Sequence, residues 1–272
     1  MLDTAIECLI RSIAFGMDLT SSLKLFFTSL LPFKLNLKCC VRIKLPYSLQ
    51  ACIPANLMPS IWRNLLHIYL DRDYEPTSQF KPKAGWIVID VGAHIGLYTI
   101  RAARLVGSDG VVIAIEPNPS SYEVLKLNLK LNRLTNVIPV NIAISNFSGK
   151  AVLYIPSYTA NASLNNDYVR VAGYERVDCC LVNVKKLSQL IRDLKLNRID
   201  LLKIDAEGEE LKIVEEIRNS NILDIVDRLV IEVHKDVVDH LVVADVLERE
   251  GFKVIVVDFI EYPSQAFIGA LK

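Results

Sequence analysis

The stretch Trp86–Ile100, WIVIDVGAHIGLYTI, decides the fold of this 272-residue chain. An apolar run, Trp86–Ile89, leads into Asp90, then Gly92 and Gly96, then Leu97, Ile100 and Ala103 at helical spacing. The pattern is that of a buried parallel strand, a tight glycine turn, and a helix whose N-terminus faces back over the strand end. In a parallel α/β sheet such a turn presents backbone N–H groups to a ligand. Glycine at 92 and 96 lets the chain bend sharply and lets ligand atoms approach the backbone.

Working outward, strands and helices alternate. Val111–Ile115 is a second strand ending at Glu116, and the helix after Pro117 is capped by Asn118 or Ser120. Val137–Ile142 is a third strand, Lys150–Ile155 a hairpin or edge strand, and the polar stretch Ser157–Asn166 a surface loop. Ile199–Ile204 ends at Asp205 and leads into a helix over Glu207–Arg218; Arg228–Val233 ends at His234; two further strands close the chain. The alternation predicts a doubly wound, mostly parallel sheet with right-handed crossovers. Ligands in such sheets sit beyond the carboxyl ends of the strands. Those ends carry Asp90, Glu116, Asn141, Asp205 and His234.

Pro76 and Pro82 mark an exposed connection, so residues 1–80 read as a small, mainly helical N-terminal extension and 81–272 as the main domain. Ile6, Leu9, Ile10, Ile13 and Ala14 recur at helical spacing. Glu7, Arg11, Asp18 and Lys24 interrupt the apolar run, so no stretch of about 18 uncharged residues exists to span a membrane. An interfacial helix is the sharper reading, with Leu23, Leu25, Phe26, Phe27, Leu30, Leu31 and Phe33 against lipid and Lys24 and Lys34 near headgroups. A mean hydropathy of +0.30 keeps that reading in play.

Hydrophobic residues make up 51% of the chain, enough for a sizeable core. Thirty-one Lys and Arg balance 31 Asp and Glu, which argues against a nucleic-acid backbone as partner. Six cysteines form no CxxC, and they are expected as free, buried thiols in a reducing compartment. Asp3 and Glu7 replace the basic start of a secretory signal. The expected location is cytoplasmic, with peripheral attachment to the inner membrane face as an option.

Glu116 lies 20 residues beyond Gly96, where a carboxylate accepts hydrogen bonds from a ribose diol. The turn is DxGxxxG, not the GxGxxG of a dinucleotide site. Asp90 beside a pyrophosphate would be repulsive, whereas beside an ammonium group it is favourable. A sulfonium nucleoside, S-adenosylmethionine, is therefore expected over a nicotinamide dinucleotide.

The segments IDVGAHIGLYT, AIEPNP, VNIAIS with Gly149, DLLKIDAEGEE and LVIEVH resemble, in this order, the FkbM family of S-adenosylmethionine-dependent methyltransferases, over roughly Asp71 to Leu271. His94 stands where the family often has Asn, and residues 1–70 fall outside the resemblance. The resemblance implies the class I methyltransferase (Rossmann-like) fold, a seven-stranded sheet with an antiparallel last strand, and methylation of hydroxyl oxygens. It places Asp90, Gly92 and Gly96, with Ala93 and His94 of the same turn, at the methionine portion. Glu116 falls at the ribose, and Pro117, Asn118, Asn141 and Ala143 around the adenine.

Methyl transfer from sulfur mainly requires alignment of the acceptor, and a hydroxyl must also lose its proton. Asp205, His234 and Glu207 are the expected catalytic residues. No metal-ligand motif stands out, although Asp205 and Glu207 are the pair that would hold Mg²⁺. Glu207, Glu209 and Glu210 also suit the first turn of a helix without any catalytic task. His67 and His240 read as packing or surface residues. The expected acceptor is a sugar, glycolipid or small-molecule hydroxyl. A non-catalytic nucleotide-binding scaffold and an RNA methyltransferase are the competing readings.

Overall fold

In a computed structural model, the structure describes residues 9–13, 17–29, 40–171, 173, 177–258 and 263–272. Expectations for Ile6, Ala14, Leu30, Leu31, Phe33, Lys34, Cys8 and Cys39 lie outside them. The elements in order are α1 (Leu19–Ser29), β1 (Cys40–Leu45), β2 (Leu49–Pro54), α2 (Met58–Leu65), β3 (Ile87–Val91), α3 (Leu97–Val106), β4 (Val111–Ile115), α4 (Pro119–Leu131), β5 (Val137–Val140), β6 (Ala143–Ile144), β7 (Gly149–Pro156), α5 (Asn166–Val171), β8 (Val177–Lys185), α6 (Leu187–Asp193), β9 (Leu201–Ile204), α7 (Glu210–Asn219), β10 (Arg228–His234), α8 (His240–Arg249), β11 (Lys253–Asp258) and β12 (Gln265–Leu271).

Seven strands form the main sheet, in the order β11-β12-β10-β9-β3-β4-β5. β12 runs antiparallel to both neighbours, and β10-β9-β3-β4-β5 are parallel. This is the doubly wound class expected from the alternation. The reversal of strand order falls between β3 and β9, where ligands bind in such sheets.

Alternate side chains of the central strands serve opposite faces. Ile89, Val91, Leu202, Ile204, Ile231 and Val233 pack under α6, α7 and α8. Val88, Leu201 and Val230 face the other way, toward α3, α4 and the N-terminal segment. Asp90, Lys203 and Glu232 are each two residues further along that second face, and it is there that the site is built.

Among the described residues, side chains on both sides of residue 80 share a core. Ile43, Leu49, Ile53, Ile61, Leu65, Phe80, Val88 and Ile100 belong to one cluster of buried side chains. The open edge of β2 is closed by two asparagines one turn apart on α4. Asn132 Oδ1 accepts from the Gln50 N–H (2.8 Å) and Asn128 Oδ1 from the Cys52 N–H (2.7 Å), while their Nδ2 groups donate to the carbonyls of the same two residues. Arg101 of α3, 1% exposed, pairs with Glu75 at 2.5 Å. Leu25, expected against lipid, is buried in this core, and Phe27 of the same helix is exposed. Among the described residues, no helix is long and apolar enough to cross a membrane.

Two expectations need correction. Cys40 and Cys52, read as free thiols, are joined as a disulfide, because the β1–β2 pairing brings their Cα atoms to 5.5 Å. The stretch 157–166 is a wall of the functional cavity rather than a plain surface loop. β6, β7 and β8 form a separate three-stranded sheet whose connection folds over the strand ends.

At Gly92 a Cβ would lie 1.8 Å from the Asp205 carbonyl oxygen, and φ is +78°. Backbone cannot give way as a side chain can, so Gly92→Ala is expected to cost about 3 kcal/mol or more in urea unfolding. Gly96→Ala meets only the Leu125 Cδ1 methyl at 2.4 Å and is expected to cost less.

Candidate active site

A cavity of about 1350 Å³, counting its opening to solvent, lies at the carboxyl ends of β3, β4, β9 and β10. At one end Glu116 organises two loops. Its Oε2 accepts the His94 N–H (2.7 Å) and its Oε1 the Asn118 N–H (2.8 Å). Burial pushes this carboxyl up to about 7, against the pull of those two N–H groups. Asn118 caps α4 by accepting the Ser120 N–H, and Asn141 donates to the carbonyls of Glu116 and Pro117. Of the residues expected around a nucleoside, Gly92, Ala93, His94, Glu116, Pro117 and Ala143 line the cavity. Asn118 and Asn141 instead hold the loops that shape it, and Gly96 lets α4 approach the turn through Leu125. His94, at φ +49°, places Nε2 3.0 Å from Thr159 Oγ1. Burial and the Lys203 charge hold it down at about 3, so it is neutral.

Asp90 sits elsewhere than expected. It is fully buried behind the cavity, accepts from Thr99 Oγ1 (2.6 Å) and pairs with Lys203 Nζ at 3.0 Å. Asp90 and Lys203 are register partners on β3 and β9, so their side chains share one face. Lys203 also reaches the carbonyls of Val91 (3.4 Å) and Gly92 (3.3 Å) and the Asp205 carboxylate (3.6 Å). Burial works against its charge, but Asp90 and Asp205 outweigh burial and raise it, so it is an ammonium. Asp90 is thus paired within the protein and is not among the residues that line the cavity.

The other end of the cavity is acidic, with Asp205, Glu207, Glu209 and Glu232 on its wall. Tyr74 donates to Glu232 (2.5 Å) and Asp205 (3.1 Å). His67, read as a packing residue without a partner, is paired with Asp73 and lines the same cavity. Burial raises Glu232 to about 7 and Glu207 to about 8, with His234 opposing the shift in both.

The helix expected from Glu207 begins at Glu210, because Glu207 (φ +50°) and Gly208 (φ +99°) adopt left-handed backbone. The three glutamates therefore do not share a helix turn. Glu209 accepts from Ser145 Oγ and pairs with Lys212. Glu210, fully buried, accepts the N–H groups of Ala206 and Gly208 and takes His234 Nδ1 at 2.9 Å. His234, expected as a free base, is not on the cavity wall. It lies behind Glu207, with Nε2 3.0 Å from Glu207 Oε2 and its ring edge-on to Tyr168. Asp205, Glu207 and His234 offer ligand atoms that all lie within 4.8 Å of one another.

The methyltransferase FkbM domain matches residues 90–254. The chain belongs to the FkbM methyltransferase family. Methyltransferase sdnD of Sordaria araneosa is 31% identical over 192 residues, covering 61% of this chain and 73% of that protein. Methyltransferase 1 of Beauveria bassiana is 24% identical over 207 residues, 70% of this chain and 80% of that protein. The METTL16 methyltransferase domain shares the fold, with a TM-score of 0.50 at 15% identity over 84% of this chain and 74% of that one. This FkbM protein is an S-adenosylmethionine-dependent methyltransferase. Tyr74, Lys203 and Glu232 escaped the sequence reading, which took His67 for a packing or surface residue and Glu210 for a helix first-turn acid. Lys203 and Glu232 carried a signal: Lys203 is the single charge of β9, and Glu232 interrupts the apolar stretch Leu229–Val233 of β10.

Lys203→Met leaves Asp90 buried and unpaired, and is expected to destabilise the fold by roughly 3–5 kcal/mol in urea unfolding. Combining it with Asp90→Asn is expected to restore part of that loss.

Proposed function

We propose that this FkbM protein methylates a hydroxyl of a neutral, polyhydroxylated acceptor: a sugar, a glycolipid or a comparable small molecule. The observation that carries the reading is the division of one cavity into two chemically distinct ends. Near Glu116, His94 and the backbone of 142–144, a carboxylate and apolar walls suit a ribose and a base. S-adenosylmethionine, when bound, supplies a methyl group on a positively charged sulfur. Around Tyr74, Asp205, Glu207 and Glu232, acceptors of hydrogen bonds crowd together, which suits a donor-rich polyol. Glu207 and Glu232 are placed to hold an acceptor hydroxyl by its hydrogen and to take its proton.

The same acidic wall repels phosphate, which weighs against an RNA backbone beside this end of the cavity. A lipid-linked sugar is favoured within the class by the exposed Leu19 and Phe27 near the N-terminus, which suit contact with a membrane surface.

Calorimetric titration with S-adenosylmethionine tests the cofactor end. Glu116→Gln is expected to bind at least tenfold more weakly. Glu116 is neutral below about pH 7 and an anion above it, and only the anion accepts two ribose hydroxyls without giving up a proton. Affinity is therefore expected to rise through about pH 6 to 8 and then level, with a flat profile in Glu116→Gln. Transfer of labelled methyl to free and lipid-linked sugars, with RNA alongside, tests the acceptor. Label on RNA alone would overturn the reading, and Glu207→Gln is expected to lose transfer while keeping cofactor binding.

A further inference from the structure

We propose that Asp205, Glu207 and His234 form a site for a divalent transition-metal cation of the Mn²⁺ kind, set in the wall of the cavity. Only the use of the cation rests on the methyltransferase reading; its binding does not.

The argument starts from His234. Glu210 Oε1, which faces Nδ1 at 2.9 Å, also accepts the Ala206 and Gly208 N–H groups at 3.2 and 3.0 Å. Glu210 is thereby fixed as an acceptor, so Nδ1 carries a proton; the flanking Glu207 and Glu210 carboxylates favour a second proton on Nε2, and a bound cation takes that proton's place. A histidine that donates one ring N–H to a carboxylate presents the lone pair of its other nitrogen, the arrangement found behind metal-ligating histidines. Here that other nitrogen, Nε2, and Glu207 Oε2 are buried atoms without a hydrogen-bond partner. Glu207 and His234 are 8% and 3% exposed, so solvent does not satisfy them. The two atoms lie 3.0 Å apart, outside hydrogen-bond alignment. Two neighbouring ligands of one cation, each bound at about 2.1 Å at right angles, are separated by about 3.0 Å.

The third donor is Asp205, whose Oδ2 is steadied by Tyr74 at 3.1 Å. It lies with the other two inside the 4.8 Å limit. Lys203 pairs with Asp205 but is closer to Asp90, at 3.0 against 3.6 Å. Besides Glu209, which pairs with Lys212, the wall holds three carboxylates, Asp205, Glu207 and Glu232, whose mutual repulsion a divalent cation relieves. An imidazole with two carboxylates suits Mn²⁺, Fe²⁺ or Zn²⁺ better than Mg²⁺, which prefers oxygen ligands and retained water. Asp205 and Glu207 face the cavity, so the open coordination positions point to where an acceptor hydroxyl is expected. A hydroxyl held there is more acidic than in water.

The test is titration of chelator-treated full-length protein with MnCl₂, following the loss of the free Mn²⁺ spin-resonance signal, with S-adenosylmethionine calorimetry on the same sample. One Mn²⁺ per chain is expected, with affinity at least tenfold weaker in Glu207→Gln and in His234→Gln. Glu210→Gln, which leaves all three ligands in place, is expected to weaken binding by roughly tenfold. Wild-type protein that binds Mn²⁺ no better than Glu207→Gln would overturn the proposal, as would nitrogen NMR of the protein treated with diamagnetic Zn²⁺ still showing protons on both ring nitrogens of His234, the mark of an imidazolium bridging Glu207 and Glu210. Cofactor binding without Mn²⁺ binding removes the metal site alone. Failure of both removes the functional reading as well.

Discussion

A buried lysine ammonium holds the centre of this molecule together. Lys203 stands on the middle strand of a sheet face otherwise filled by Val88, Leu201 and Val230. Its charge is tolerable there only because Asp90 lies beside it on the neighbouring strand, with Asp205 and the carbonyls of Val91 and Gly92 in reach. One cation thus ties the turn after β3 to the end of β9. Those segments touch so closely that position 92 admits no side chain. The cavity opens just beyond that junction, so its floor inherits the rigidity of the ion pair.

The N-terminal segment completes the site on the same face. Tyr74 brings Glu232 and Asp205 together, His67 lines the wall, and Tyr158 from the β7–β8 connection meets Asn64. The Arg101–Glu75 pair and the two asparagines of α4 hold this cap against the main sheet. Arg63, Asn64, His67 and Tyr74 all precede residue 90, where the family match begins. The end of the cavity around Gly92, His94 and Glu116 is therefore built from family segments, while the acidic end is closed in part by chain that precedes them.

What could be read in advance follows a physical line. The order of strands and helices was legible because a sheet buried on both faces demands apolar runs, and turns demand Gly, Pro and Asn. Glu116 was legible because a strand-end carboxylate has few structural reasons to exist. Asp90 looked the same in sequence, but its partner is 113 positions away at Lys203, and only register brings the two together. Asn118 and Asn141 were placed at the adenine by resemblance, whereas local backbone groups claim their side chains first. The helix start was misplaced by three residues because left-handed backbone at Glu207 leaves no mark in a non-glycine residue.

The sequence by itself determined the class of fold and the glycine turn, because these depend on neighbours a few residues apart or on patterns that repeat along a strand. The tertiary structure decided which charges are spent on one another and which face the cavity. Asp90, Glu210 and His234 lie behind the cavity, while Lys203, Asp205, Glu207, Glu209 and Glu232 line it. That division rests on distances between residues far apart in the chain, where burial makes an unpaired charge costly and forces each group to find its partner in space.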